Sequence, residues 1–227
     1  MPIHYKILMF TRPIQRVIRW IGIKFGLISP NRLRVLIYHD IPAEEENNFS
    51  TQILWLKKYW NFVSPEEFEN MLSGDTPIIG DNLLITFDDG LISNSIVAGK
   101  ILNPMGIKAI FFIISDFANL NNLSESRKFI ADNIIPSANI KDIPQYWKNM
   151  QWHDLSALIS QGHTIGCHTK THARLSDCKS RLQLEEEILT SAENISRELN
   201  IEIKHFAYTF GDIRSISKDV ITVTRSR

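Results

Sequence analysis

This 227-residue chain contains little cysteine, carries no net charge and has few long uninterrupted apolar runs. Its two cysteines, Cys167 and Cys178, are too few for a disulfide framework, which favours a reducing compartment. The formal net charge is zero, whereas a general nucleic-acid-binding protein would carry a basic face, so we expect no nucleic-acid partner. With 44% hydrophobic and 22% charged residues, the composition is that of a globular protein.

The missing apolar run matters most at the N-terminus, where residues 1–30 form a basic, amphipathic segment. Four basic residues interrupt its apolar stretch, namely Arg12, Arg16, Arg19 and Lys24. We therefore expect it to be neither a signal peptide nor a membrane span, since both need an unbroken apolar core. Two interpretations remain for a helix here: it packs on the domain's own core, or residues 7–26 lie on an anionic membrane surface. We expect a cytoplasmic protein, peripheral at the inner membrane in the second case.

Strand-like apolar runs alternate with helix-like segments along the rest of the chain. Five runs predict strands: RVLIY, NLLITF, IKAIFFIIS, HTIGC and IKHFAY. Helix signals lie between them, such as Ser64 as an N-cap before Pro65, and Gly162 after a helix end. Because the runs are too continuously apolar to have a wet face, they indicate a parallel sheet covered on both sides, an α/β fold. The late VITVT stretch fits a helix or a strand.

Polar residues gather where the predicted strands end. In chain order they are His39 and Asp40, Asp88 and Asp89, His168 and His172, and Tyr208 with Asp212. Sites of parallel α/β folds assemble at the carboxyl ends of strands, so we expect Asp88 and Asp89 to meet histidines from a later strand. His39 and Asp40 either line that site or have a structural role.

Two other histidines and one long segment lie outside this group of residues. His153 and His163 flank a predicted helix, and we expect both at the surface. The long segment 115–150 is either a substrate lid or a covering insertion with short helices.

His168 and His172 have the i, i+4 spacing that is common among metal ligands. Two imidazoles leave a tetrahedral Zn²⁺ site short of a protein ligand, and one carboxylate completes it with water in the fourth position. The second carboxylate can then take a proton from that water. The pair Asp88 and Asp89 therefore predicts one metal ligand and one base.

Two motifs together resemble a known family. The stretch TFDDG at residues 86–90 and the stretch HTKTH at residues 168–172 are similar to the motifs of polysaccharide deacetylases of the NodB-homology type, carbohydrate esterase family 4. The resemblance covers about residues 34–211. It implies a distorted (β/α) barrel and removal of an N- or O-acetyl group from an acetylated glycan or sugar precursor.

The resemblance also implies a role for individual residues. Asp88 would be the catalytic base, and a divalent metal, usually zinc, would be held by Asp89, His168 and His172. Thr86 and Tyr208 would contact substrate. The third motif reads AYTFG at residues 207–211, with Thr209 where the family usually has proline, and the Phe210 N–H would stabilise the oxyanion.

The C-terminal part departs from the family pattern. The family's later motifs, including the histidine that serves as general acid, have no counterpart after residue 211. We therefore expect residues 31–227 to be a deacetylase domain whose barrel is incomplete at the C-terminus, with His39 or a recycled Asp88 supplying the proton. Such a chain would be weak on N-acetyl sugars and favour O-acetyl esters. The alternative is a catalytically impaired relative that binds a glycan or a partner protein.

Overall fold

The structure, a computed structural model, describes residues 17–225 and contains one parallel sheet of five strands. The strands are β1 (Arg32–Tyr38), β2 (Asn61–Phe62), β3 (Asp81–Phe87), β4 (Ala109–Ile113) and β5 (Thr164–Cys167). Their order is β1-β3-β4-β5, and β2 pairs with the start of β3. The predicted parallel α/β fold is confirmed.

Helices connect the strands and cover the sheet. They are α1 (17–24), α2 (Glu46–Leu56), α3 (Pro65–Ser73), α4 (Ile92–Val97), α5 (Ser115–Ala118), α6 (Leu123–Phe129), α7 (Trp152–Ser160), α8 (Arg181–Glu185), α9 (Ser191–Leu199) and α10 (Lys218–Thr224). Single π-helical turns extend α4 and α6 and join α8 to α9. The predicted cap of α3 is present, because the Ser64 side chain accepts a hydrogen bond from the Glu67 N–H.

The sheet is apolar on both faces, as its continuous runs predicted. On one face, Phe87 and Phe111 stack with ring centroids 5.0 Å apart, in a core that also includes residues of α4, α7 and α9. On the other face, the intervening residues Leu84, Ile110 and Phe112 form a second cluster. Successive residues of β3 and β4 therefore feed opposite cores, which explains why neither strand alternates in polarity.

Backbone contacts define the local structure of three short segments. The IKHFAY run is not a strand: it contributes one bridge, in which the Cys167 N–H donates to the His205 carbonyl and the Ala207 N–H donates to the Cys167 carbonyl. β2 was not predicted, since two residues show no periodicity. The VITVT stretch is helical, as part of α10, whose N-cap Ser217 accepts from the Val220 N–H.

His163 is buried, which makes the prediction of a surface position wrong. Its Nδ1 accepts the Ala109 N–H at 3.1 Å, and its Nε2 lies 3.0 Å from Asn103 Oδ1, so this ring is neutral with its proton on Nε2. Burial lowers the pKa of His163 to about 4. His163 follows Gly162 at the end of α7 and leads directly into β5, so its ring does not face solvent.

The N-terminal segment is described only in part. Residues 7–16 of the predicted membrane-contact region lie outside the described residues, and residues 17–24 form α1. Within residues 17–225, every helix is too short or too polar to cross a bilayer.

Gly166 in β5 offers a test of the packing on the site-facing side of the sheet. A Cβ at this position would lie 2.6 Å from the Phe112 ring and 3.1 Å from the His205 carbonyl oxygen. We expect Gly166→Ala to destabilise the fold by about 1–3 kcal/mol through overpacking, measured by urea unfolding. Gly99→Ala is the matched control, because no atom lies within 4 Å of its Cβ position, and it should be neutral or stabilising by up to about 1 kcal/mol. Equal midpoints for the two variants would contradict this packing.

Candidate metal centre

Asp89, His168 and His172 come together at the carboxyl ends of β3 and β5, as predicted. Asp89 Oδ1 lies 3.6 Å from His168 Nε2 and 3.5 Å from His172 Nε2, and all three side chains are buried. Ligands about 2.0–2.2 Å from a tetrahedral zinc ion are separated by roughly 3.3–3.6 Å. The spacing of the three groups therefore fits a shared metal ion.

Hydrogen bonds at the far ring nitrogens orient both imidazoles. His168 Nδ1 lies 3.0 Å from the Ala207 carbonyl oxygen, and His172 Nδ1 lies 3.0 Å from the Asn133 carbonyl oxygen. Because a carbonyl only accepts, each Nδ1 carries a proton and each Nε2 presents a lone pair toward Asp89. Asn133 belongs to the 115–150 segment, so this segment contacts a predicted ligand directly.

The electrostatics of the cluster favour a bound cation. Asp89 Oδ1 is buried and accepts no hydrogen bond from any described residue. Burial raises the pKa of the Asp89 carboxyl and, together with the neighbouring His172, lowers the pKa of His168 to about 3. A buried carboxylate beside two neutral imidazoles is costly unless a positive charge compensates it, and a divalent ion does so.

The backbone is strained at this site. Among residues 17–225, non-glycine residues with positive φ are Asp89, Thr169, His172, Asn200 and Phe210, and all but Asn200 belong to the site. Each such residue costs on the order of 1 kcal/mol or more and persists only where surrounding contacts hold it. Glycine would adopt a positive φ without this cost, but the four site positions carry other residues, so the strain accompanies the side chains that form the site.

Glu187 holds the loop between the two histidines. Its Oε2 accepts the Lys170 N–H at 3.0 Å and the Thr171 N–H at 2.9 Å, and its Oε1 accepts the Thr171 hydroxyl at 2.7 Å. Within the loop, Thr169 Oγ1 accepts the His172 N–H at 3.0 Å. Glu187 lies in the turn that joins α8 to α9, and no local motif marks this residue in the sequence.

Asp88 occupies the cavity wall beside the metal ligands. The cavity measures about 730 Å³, and its lining includes Asp88, Asp89, His168 and His172. Burial is the main cause that raises the pKa of Asp88 to about 7; His39 opposes the rise and Asp89 adds to it. Asp88 is therefore a carboxylate outside the ligand set that can exchange a proton near neutral pH.

The other predicted site residues differ in their surroundings. His39 is exposed and lines the same cavity, whereas Asp40 accepts hydrogen bonds from Ser93 and from the Trp147 indole, both at 2.6 Å. Asp40 thus ties the end of β1 to neighbouring segments. Thr86 and Tyr208 also line the cavity, and the Tyr208 hydroxyl lies 3.1 Å from Thr224 Oγ1.

The third motif is fastened to the histidine loop. Thr209, in the position where proline was expected, is fully buried and donates its hydroxyl to the Ala173 carbonyl at 2.6 Å. The Phe210 ring lies between His172 and the Arg174 guanidinium, at 4.9 and 4.3 Å. Arg174 also pairs with Asp212 at 3.1 Å. Within residues 17–225, no hydrogen bond uses the Phe210 N–H, so it is free to act as a donor in the cavity.

Comparisons with known proteins agree with this geometry. A family model described as polysaccharide deacetylase matches residues 78–226. Over 143 residues, the chain is 26% identical to YxkH of Bacillus subtilis (strain 168), which is named as a polysaccharide deacetylase. That match covers 60% of this chain and 47% of YxkH, so the chain spans about half the length of this curated relative.

Solved structures share the fold. IcaB from Ammonifex degensii superposes with a TM-score of 0.65 at 20% identity, over 86% of this chain and 80% of IcaB. The deacetylase PplD of Streptococcus pyogenes, in complex with acetate, gives 0.64 at 20% identity over the same shares. The BpsB deacetylase domain of Bordetella bronchiseptica gives 0.65 at 16% identity, over 88% of each chain. At these identities the likeness is one of fold.

The Glu187 contacts predict that this residue maintains metal affinity without touching the metal. We expect Glu187→Ala to weaken Zn²⁺ binding about 10- to 100-fold, because the freed loop no longer fixes His168 and His172. Glu187→Gln should recover most of the affinity, since its amide oxygen can still accept the two backbone N–H groups. Competition with a chromophoric chelator measures the affinity, and the absorption of Co²⁺-loaded protein reports the ligand geometry. The control is Glu193→Ala on the exposed side of α9; equal affinities in all four proteins would contradict the role of Glu187.

Proposed function

Because the chain belongs to the polysaccharide deacetylase family, we propose that it hydrolyses acetyl groups from an N- or O-acetylated glycan or sugar precursor with the aid of a divalent metal. The observation that carries this proposal is the second buried carboxylate. Asp89 completes the ligand set with the two histidines, and Asp88 lines the same cavity without being needed as a ligand. A site that only bound metal would not require Asp88.

Zinc is the ion that best suits the donor set of two imidazoles and one carboxylate. When bound, it supplies Lewis-acid chemistry, by lowering the pKa of water and by polarising the acetyl carbonyl. Asp89, His168 and His172 would hold it at the wall of the cavity. The hydrogen bonds from the two Nδ1 atoms keep the Nε2 lone pairs on the ligand side.

Asp88 would act as the general base. A water proton passes to its carboxylate as the water oxygen forms a bond to the acetyl carbon. Burial raises the pKa of Asp88, which makes it a stronger base than an exposed aspartate, and the cation held beside it would favour the ionised form. The Phe210 N–H would donate to the oxyanion of the tetrahedral intermediate. No described residue accepts a hydrogen bond from this N–H, and the Phe210 ring contacts His172 and Arg174.

His39 would act as the general acid. When the intermediate collapses, the bond from carbon to the sugar nitrogen or oxygen breaks, and the leaving atom needs a proton. His39 lines the same cavity as Asp88, and the two residues follow paired positions, because Tyr38 of β1 lies opposite Phe87 of β3. An amine requires this proton more than an alcohol does, because an amide anion is the poorer leaving group.

Replacing the two aspartates separately tests the division of labour. We expect Asp88→Asn to retain about one zinc per chain and to lose about 10²–10⁴-fold in kcat, the usual contribution of a general base. Asp89→Asn should lose both metal and activity, since it removes the anionic ligand. Elemental analysis gives the metal content, and acetate release from chitooligosaccharides gives the activity. Two variants with the same metal affinity would contradict the assignment.

A comparison of substrates tests His39. We expect acetate release from an O-acetyl ester to exceed release from an N-acetylglucosamine oligomer, and His39→Ala to lower the amide reaction more than the ester reaction, by up to about 10²–10⁴-fold. The control is His153→Ala, on an exposed position of α7. Amide hydrolysis untouched by His39→Ala would show that another group supplies the proton. No turnover of either substrate by the zinc-loaded protein would favour the impaired, glycan-binding relative.

A further inference from the structure

The N-terminal region concentrates positive charge in a chain that is neutral as a whole. Residues 1–39 contain seven lysines and arginines and no aspartate or glutamate, and the first acidic residue is Asp40. The remaining residues carry 18 basic and 25 acidic side chains, a net charge of −7. This division gives the N-terminal region a field that attracts anionic surfaces.

The described part of this region also exposes large apolar side chains. Trp20 is 61% exposed and Phe25 is 70% exposed, and Val17, Ile18, Ile21 and Leu27 are exposed with them. We call residues 17–28 the apolar patch. Surface helices of globular proteins normally turn their apolar side toward the core, and α1 does the reverse.

Polar contacts hold the apolar patch on the domain from its inner side. Arg19 donates to the Pro30 carbonyl at 2.9 Å and pairs with Asp81 at 3.4 Å. Gly22 is buried, and Ile28 folds back against it. Arg19 is therefore half-buried and Gly22 is buried, whereas Trp20 and Phe25 remain exposed to solvent.

We propose that the apolar patch docks on the surface of a bilayer that contains anionic phospholipids. Trp20 has the amphipathic ring that favours the level of the lipid headgroups, and Lys24 lies over it with its ammonium 5.1 Å from the ring centroid. Apolar burial and attraction between lysines or arginines and anionic lipids reinforce each other in such helices. A second copy of the same region is a poorer occupant, because two N-terminal regions that are both rich in basic residues repel each other.

Vesicle flotation with the full chain tests this proposal. We expect binding to phosphatidylcholine vesicles that contain phosphatidylglycerol, much weaker binding to phosphatidylcholine alone, and loss of binding in high salt. Trp20→Ser combined with Phe25→Ser should reduce binding about tenfold or more, because two large side chains no longer bury in the lipid. Leu182→Ser is the matched control, since Leu182 is an exposed apolar residue on α8. Lys24→Glu should also weaken binding, whereas Lys141→Glu should not.

Three results would overturn the proposal: no binding to anionic vesicles, equal binding to both lipid mixtures, or full binding by the double variant. Sedimentation equilibrium distinguishes the competing occupant, because a dimer that the double variant abolishes would make the apolar patch a self-association surface. Zinc stoichiometry and thermal unfolding of the double variant confirm that it folds. The flotation result does not depend on catalysis, so it stands or falls separately from the proposed deacetylase activity.

Discussion

One buried carboxylate, that of Asp89, is the group around which the rest of this site is arranged. Asp89 lies 3.5 and 3.6 Å from two imidazole nitrogens and has an oxygen that accepts nothing from the described residues. Neutralising the carboxylate by protonation would remove a ligand, and leaving it ionised and alone would be expensive. The strained backbone at Asp89, Thr169 and His172 persists because the surrounding hydrogen bonds hold those residues around that point.

The groups of this centre differ in their distance along the sequence. The candidate metal ligands and Asp88 lie in short stretches, whereas the groups that orient the histidines come from other parts of the chain. Asp88 and Asp89 share one turn, and His168 and His172 share another, so their chemistry is visible as short motifs. The groups that orient them are distant in sequence: the Asn133 carbonyl, the Ala207 carbonyl and the Glu187 carboxylate. Two of the three are backbone atoms, whose positions depend on the fold and on no side chain.

That distinction explains what could be predicted from the sequence. The parallel α/β fold followed from continuous apolar runs, and the meeting of the aspartate pair with the two histidines followed from polar residues at strand ends. The choice of Asp89 as the ligand came from the resemblance of the motifs to the family. The two-residue β2 and the single bridge at Phe206 could not be recognised, because pairing with a neighbour defines them and periodicity does not. The burial of His163 was missed for a related reason, since its partners Ala109 and Asn103 are more than 50 residues away. Thr209 replaces a rigid proline with a hydrogen bond that only the folded neighbour, Ala173, reveals.

The length of β3 sets a distance between two surfaces of the molecule. Arg19 reaches Asp81, the first residue of this strand, and Asp88 directly follows its last residue. Seven residues rising about 3.3 Å each span roughly 20 Å. The apolar patch and the candidate metal centre are therefore held about one strand length apart. A surface bound at the apolar patch would leave the metal-binding end of the cavity uncovered, so both places could be occupied at the same time.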